Sequence, residues 1–259
     1  MIRELTSTGL LATLLLCTLP AWAELQDEIQ VYDDAINARG EKGLELHLNT
    51  TPRGRSRSDY PGEVAPQHGT RITPELSYGL TDSVELGMYV PTVFDANWRG
   101  EIAGLKLRLK WLPLTPPEGG SGAFGGVNVE LSRLAQRYSE SRSSMETRFI
   151  AGRRSPQWLL AVNPILGFNL SDGMASDRPS FDLGFKAART VAPGLAAGAE
   201  LYLAPGALGR SLPWQQQDNR LFVTLDVDRK PWVFNLGIGR ALTDAADRWT
   251  LKAIFEVPL

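Results

Sequence analysis

Three side chains, Cys17, His47 and His68, are all the thiol and imidazole that 259 residues contain. A lone thiol makes no internal disulfide, and the two histidines stand in unlike contexts without metal-ligand spacing, so no metal site is expected. No nucleophile elbow surrounds any serine, whereas a hydrolase must bring together a serine, a histidine and an orienting group. No catalytic residue is assigned, and the chain is not expected to be an enzyme. Cofactor motifs are missing as well. The glycine-rich stretch Gly119–Gly126 has no Gly-Lys-Ser/Thr after it, and Gly237-Ile238-Gly239 offers two glycines of a fingerprint that requires three. Asp33, Asp34 and Asn37 lack the glycine and distal glutamate of a calcium loop. Charge of one sign is scarce: 27 basic against 29 acidic residues argues against nucleic acid as a partner. No stretch reaches the roughly eighteen apolar residues of a membrane-spanning helix.

What is present begins with an export signal. Arg3 is followed by the apolar run Leu10–Leu16 and the small-x-small site Ala21-Trp22-Ala23, so residues 1–23 are expected to be a cleaved signal peptide. Leu16 before Cys17 is too large for a lipoprotein signal, and cleavage would remove the one thiol. Residues 24–41 are acidic and lack periodicity. They are expected to form a short periplasmic segment, free to fold back as a plug.

From residue 42 to 259 the chain alternates apolar and polar positions. Leu44, Leu46 and Leu48 oppose Glu45, His47 and Asn49; Ala103, Leu105, Leu107, Leu109 and Trp111 oppose Gly104, Lys106, Arg108 and Lys110. Period-two alternation sends the two sets to opposite faces of a strand. Similar segments lie at 71–80, 83–90, 127–131, 145–151, 158–170, 181–189, 195–203, 221–227, 232–238 and 249–259, which makes twelve. The last is about as long as a tilted strand must be to cross a bilayer, roughly nine to eleven residues. Short turns such as Ala192-Pro193-Gly194 alternate with long links such as 50–69, as periplasmic turns alternate with extracellular loops in outer-membrane barrels. Two links break the rule: 112–122 is long for a turn, and 240–247 is short for a loop. The fold class expected is all-β, a transmembrane antiparallel β-barrel of about twelve strands. Aromatics agree with it. Tyr78, Trp111, Trp158 and Trp232 fall at periplasmic strand ends and Trp249 at an outer one, where interface girdles belong.

In such a barrel the polar face is the lumen. It carries Glu45, His47, Glu75, Glu85, Glu130, Glu146, Asp182, Glu200, Asp226 and Glu256. Against these stand Arg71, Lys106, Arg108, Lys110, Arg148, Lys186, Arg220 and Lys252. Two readings stay open: a charged constriction that sorts solutes, with Lys106, Arg108 and Lys110 as a cationic ladder, or an ion-pair network that fills the lumen. His47 is expected to be a lumen hydrogen-bonder. In the first long link, Arg53, Arg55 and Arg57 either touch anionic lipopolysaccharide or stay solvated.

The runs EIQVYDDAINARGEKGLELHLN, TPELSYGLTDSVELGMYVP, GLKLRLKWLP and FNLGIGRALTDAADRWTLKAIF resemble a proteobacterial group of exported outer-membrane β-barrel proteins. That group is similar to the transporter-like family associated with the meta pathway of phenol degradation. The resemblance covers most of the mature chain, through strand texture and the Gly-Leu-Thr-Asp and Ala-Leu-Thr-Asp turns. It implies an outer-membrane location in a Gram-negative bacterium, insertion by the barrel-assembly machinery, and contact with lipid and lipopolysaccharide. It also implies passage of small solutes, hydrophobic or aromatic ones among them. One departure is Leu259, where such barrels often end in Phe. The function expected is a passive pore or uptake channel without a cofactor. The alternative is a non-conducting structural or surface-interaction barrel, with an outer-membrane hydrolase behind it.

Overall fold

A computed structural model describes residues 27–117, 119–171, 178–230 and 232–257. The expected signal peptide, residues 24–26 of the acidic segment and the terminal Leu259 lie outside them. Twelve antiparallel strands make the wall: β1 (Lys42–Arg53), β2 (Thr70–Thr81), β3 (Val84–Tyr89), β4 (Gly104–Leu114), β5 (Gly122–Leu134) and β6 (Ser143–Arg154), then β7 (Trp158–Asn169), β8 (Ser180–Ala192), β9 (Leu195–Ala207), β10 (Arg220–Arg229), β11 (Trp232–Ala241) and β12 (Trp249–Val257). Each pairs with its neighbour in sequence, and β1 pairs with both β2 and β12. The sheet therefore closes and leaves no unpaired edge, the condition for a sheet in hydrocarbon. The chain is a closed transmembrane barrel.

Polarity is inverted relative to a water-soluble fold. On β4, Leu105, Leu107, Leu109 and Trp111 are 42–50% exposed, while Lys106, Arg108 and Lys110 are buried. The same inversion runs around the wall, with Leu76, Leu86, Leu131, Phe149, Leu160 and Val223 outward. An exterior of this kind suits acyl chains.

Most strands extend beyond their alternating cores. Residues 127–131 grow into β5, and the long turn read at 112–122 shrinks to 115–121, because Leu114 still pairs with Gly125 across a bulge. Residues 115–121 nonetheless remain the longest of the short-side turns, equal in length to the link after β11. The link after β11, residues 242–248, stays short. A ladder of Thr92–Phe94 with Gly100–Ile102 stiffens the link between β3 and β4, and Arg210–Ser211 folds back on β9.

Residues 27–41 contain no strand and enter the lumen from the end that carries the short turns. Gly79 on β2 shows how tightly they fit. Its N–H donates to Glu41 O, its carbonyl accepts from Gly40 N, and an added Cβ would stand 2.1 Å from the Ala38 carbonyl oxygen.

Candidate functional site in the lumen

The cationic ladder of β4 meets carboxylates of β2 and β3 through register. Leu76 on β2 faces Met88, and Gly87 on β3 faces Arg108, so Glu75, Glu85 and Arg108 converge on one patch of the inner wall. Arg108 Nη2 bonds Glu75 Oε1, and lies 2.8 Å from Glu85 Oε1. Gly87 makes the room: a Cβ there would approach Arg108 Nε to 2.5 Å. Lys110 lies 3.5 Å from Glu85, and Lys106 sits between Asp27 at 2.9 Å and Glu130 at 3.1 Å. Across the lumen Lys252 is 2.5 Å from Glu200, Lys186 is 3.1 Å from Asp226, and Arg148 is 3.0 Å from Glu146. Ionised groups in a narrow barrel need such partners, since unpaired burial costs several kcal/mol per ion, as an order of magnitude.

The acidic segment occupies the space between these walls. Its carbonyls accept from wall cations: Ile29 O from Lys252 at 2.9 Å, Gln30 O from Arg148 at 2.8 Å, and Ala35 O from Lys110 at 3.1 Å. Asn163 on β7 holds Tyr32 by both main-chain groups, at 2.6 and 3.0 Å. Asp34 pairs with Arg154, and Asn37 N donates to Glu85 at 2.7 Å. The Tyr32 ring has Arg148, Lys110 and Arg108 within 4.4, 4.9 and 5.7 Å of its centroid, and its hydroxyl meets that of Tyr89 at 2.9 Å. On the opposite side Val31 and Tyr32 pack on Leu112, Phe124, Ile150, Leu159 and Ala161. The inner wall thus carries an apolar patch at the short-turn ends of β4–β8 among charged groups that run all the way round it. The apolar patch is not evident in the alternation, because strands such as β7 are apolar on both faces: Leu159 and Ala161 point in, Trp158 and Leu160 out.

The residues proposed for the lumen alternate with the outward apolar set, and Glu256, near the end of β12, is exposed. His47, Arg71, Glu75, Glu85, Lys106, Arg108, Lys110, Arg148 and Lys252 are all buried, while Glu45 and Lys186 are partly open. His47 Nε2 is 3.0 Å from Glu75 Oε2 and 3.6 Å from Glu45 Oε2. Among the described residues these three form the one group able to grip a metal ion, with ligand atoms within 4.8 Å of one another. The spacing rule missed it, because Glu75 reaches Glu45 only through strand pairing. Two features weigh against a built centre. Arg108 occupies Glu75, and His47 Nδ1 lacks the partner that normally orients a ligating imidazole.

Toward the long loops, above Asp27–Gln30, lies a cavity of about 190 Å³ bounded by β4–β10. Over the mouth, Arg55 is tied to Asp59, Glu63 and Asp247. Arg55 is therefore held by carboxylates of the protein itself, while Arg53 and Arg57 stay exposed. Tyr78, Trp111 and Trp158 stand 43–49% exposed at the short-turn ends, and Trp249 begins β12 at the long-loop end. Trp232 begins β11, its side chain lying outside the described atoms.

No family model and no curated protein matches the sequence. Among solved structures, the chain is similar to an outer membrane channel from Pseudomonas putida F1, with 16% identity, a TM-score of 0.57, and coverage of 89% of this chain and 100% of that one. It is similar also to the KdgM porin, with 11% identity, a TM-score of 0.53, and coverage of 83% of this chain and 99% of the porin. At such identities the likeness is one of fold.

Proposed function

We propose that the protein is an outer-membrane barrel, exported through residues 1–23, that passes small solutes passively and whose periplasmic half is narrowed by its N-terminal segment. The observation that carries this reading is the inner wall: charged groups ring a lumen that is filled by residues 27–37 on one side and opens into a cavity on the other. The channels of similar fold support it, and so does the resemblance to the transporter-like family of the phenol meta pathway, which brings small hydrophobic or aromatic solutes into view. Lipid would meet the apolar belt, with Tyr78, Trp111, Trp158, Trp232 and Trp249 at its borders and the short turns in the periplasm.

A second reading has its own support. The ion pairs around Arg108 and the seated segment are what a non-conducting barrel would need to stay shut. Planar-bilayer recording separates the two, using refolded chain lacking residues 1–23 and checked by heat-modifiable gel mobility. Discrete conductance steps are expected. A folded barrel that stays silent, with and without the segment, would establish the non-conducting reading instead.

A further inference from the structure

The cavity above the segment differs from the rest of the lumen in its charge bookkeeping. Its basic groups are already held: Lys106 by Asp27 and Glu130, Arg148 by Glu146 and the Gln30 carbonyl, and Arg220 by Asp218. Its acids are in surplus. Asp182 on β8 makes no hydrogen bond or ion pair among the described residues, and Glu146 and Asp218 repel it while Arg148 alone attracts it. Glu28 Oε1 and Asp27 Oδ2 are buried at the floor and accept no hydrogen bond. Asp27 itself is only 1% exposed. Carboxylate oxygens left without donors in a confined space are costly, and a ligand that brings donors and positive charge relieves that cost.

Apart from Gln30 and Ser180, the rest of the lining is apolar. Ile165, Leu183, Leu203 and Leu212 surround a Tyr202–Phe222 pair set edge to face, with centroids 5.5 Å apart. Aromatic faces attract cations as well as apolar bodies. Size sets the limit: an apolar cavity of about 150 Å³ accepts benzene, and this one of about 190 Å³ has room for a ring with a short charged arm.

We infer that this cavity is a binding site for a small organic cation, an amine or guanidinium carried on an apolar or aromatic body, with Asp182 as its counter-ion. The inference names a solute class for the pore reading, and its test does not require conduction.

Benzylammonium chloride is titrated calorimetrically into refolded chain lacking residues 1–23, with benzyl alcohol and benzoate as size-matched controls. Saturable binding of benzylammonium is expected, at least about tenfold tighter than either control, which is the scale of one charge-assisted hydrogen bond. Asp182→Asn should remove most of that preference. If it fails to give heat-modifiable folded protein, Glu28→Gln provides the same readout from the segment. Benzoate binding as tightly as benzylammonium, a preference unchanged in both variants, or no binding to folded protein would overturn the site. Binding to a barrel silent in bilayers would keep the site and sink the pore. Conduction without binding would do the reverse.

Discussion

Near the short turns the lumen is packed and its charges are matched. Arg108 alone holds Glu75 and Glu85, Lys110 adds a second cation, and Tyr32 lies among them with its main chain clasped by Asn163. Toward the long loops the same strands enclose a cavity in which carboxylates outnumber the cations free to meet them. Alternating strands supply polar side chains to both regions, so alternation cannot explain the contrast. Register explains it. Opposite charges on β2, β3 and β4 fall side by side, whereas Asp182 on β8 faces Ile165 on β7 and finds no cation across the strand. The packed half has the character of a constriction and the cavity that of a vestibule.

Replacing the central cation tests the contrast most severely. Arg108→Ala would strand Glu75 and Glu85 in the packed half, and breaking a buried pair from one side costs about 3–5 kcal/mol. Urea unfolding in lipid or detergent should show a loss of that size. Asp182→Asn, made in the vestibule, should leave stability unchanged or slightly raised, because it removes an uncompensated charge. Equal losses in both variants would erase the distinction.

A steric change comes next. Gly79→Val puts methyl groups where the Ala38 carbonyl now sits, and forcing extra volume into a packed contact typically costs about 1–3 kcal/mol. The expected outcome is a folded barrel whose segment is dislodged, seen as new protease cleavage within residues 27–41. Unchanged protection would show that the segment's seat is looser than its contacts indicate.

The smallest effect concerns the loops over the mouth. Glu140 is buried there with both carboxylate oxygens unpartnered, and burial, with Asp59 and Glu63 nearby, pushes its carboxyl above the usual range. A raised folded value means that its contribution to loop packing is full below the ordinary glutamate value, about 4.3, and fades as pH rises through the folded one. Glu140→Gln should remove that dependence. Its loop should resist proteolysis better than wild type at neutral pH, by up to about 1–3 kcal/mol of local stability, with the difference vanishing in acid. A variant less protected at neutral pH would contradict the assignment.

The barrel itself is legible in the sequence because each strand carries its own period, and no distant residue is needed to recognise Leu105-Lys106-Leu107-Arg108. Strand ends are less so. Gly122–Gly126 has no side-chain alternation to announce it, and the bulge opposite Leu114 cannot be inferred from one strand. The inward cations and acids are legible as a face, but their pairing is not, since Glu75, Glu85 and Arg108 meet only after three strands align. The segment's seat leaves almost no trace, because wall side chains hold it largely by main-chain carbonyls. Its one local sign is the acidic run Asp33-Asp34, which finds Lys186 and Arg154 from positions more than a hundred residues away.

The central claim is that residues 27–37 narrow a pore that the wall would otherwise leave wider. Bilayer conductance of the refolded barrel with and without residues 24–37 tests it most directly. A severalfold larger conductance step in the shortened chain, with the barrel still heat-modifiable, is the outcome predicted. Identical steps in the two proteins would contradict the narrowing and return the segment to a purely structural role.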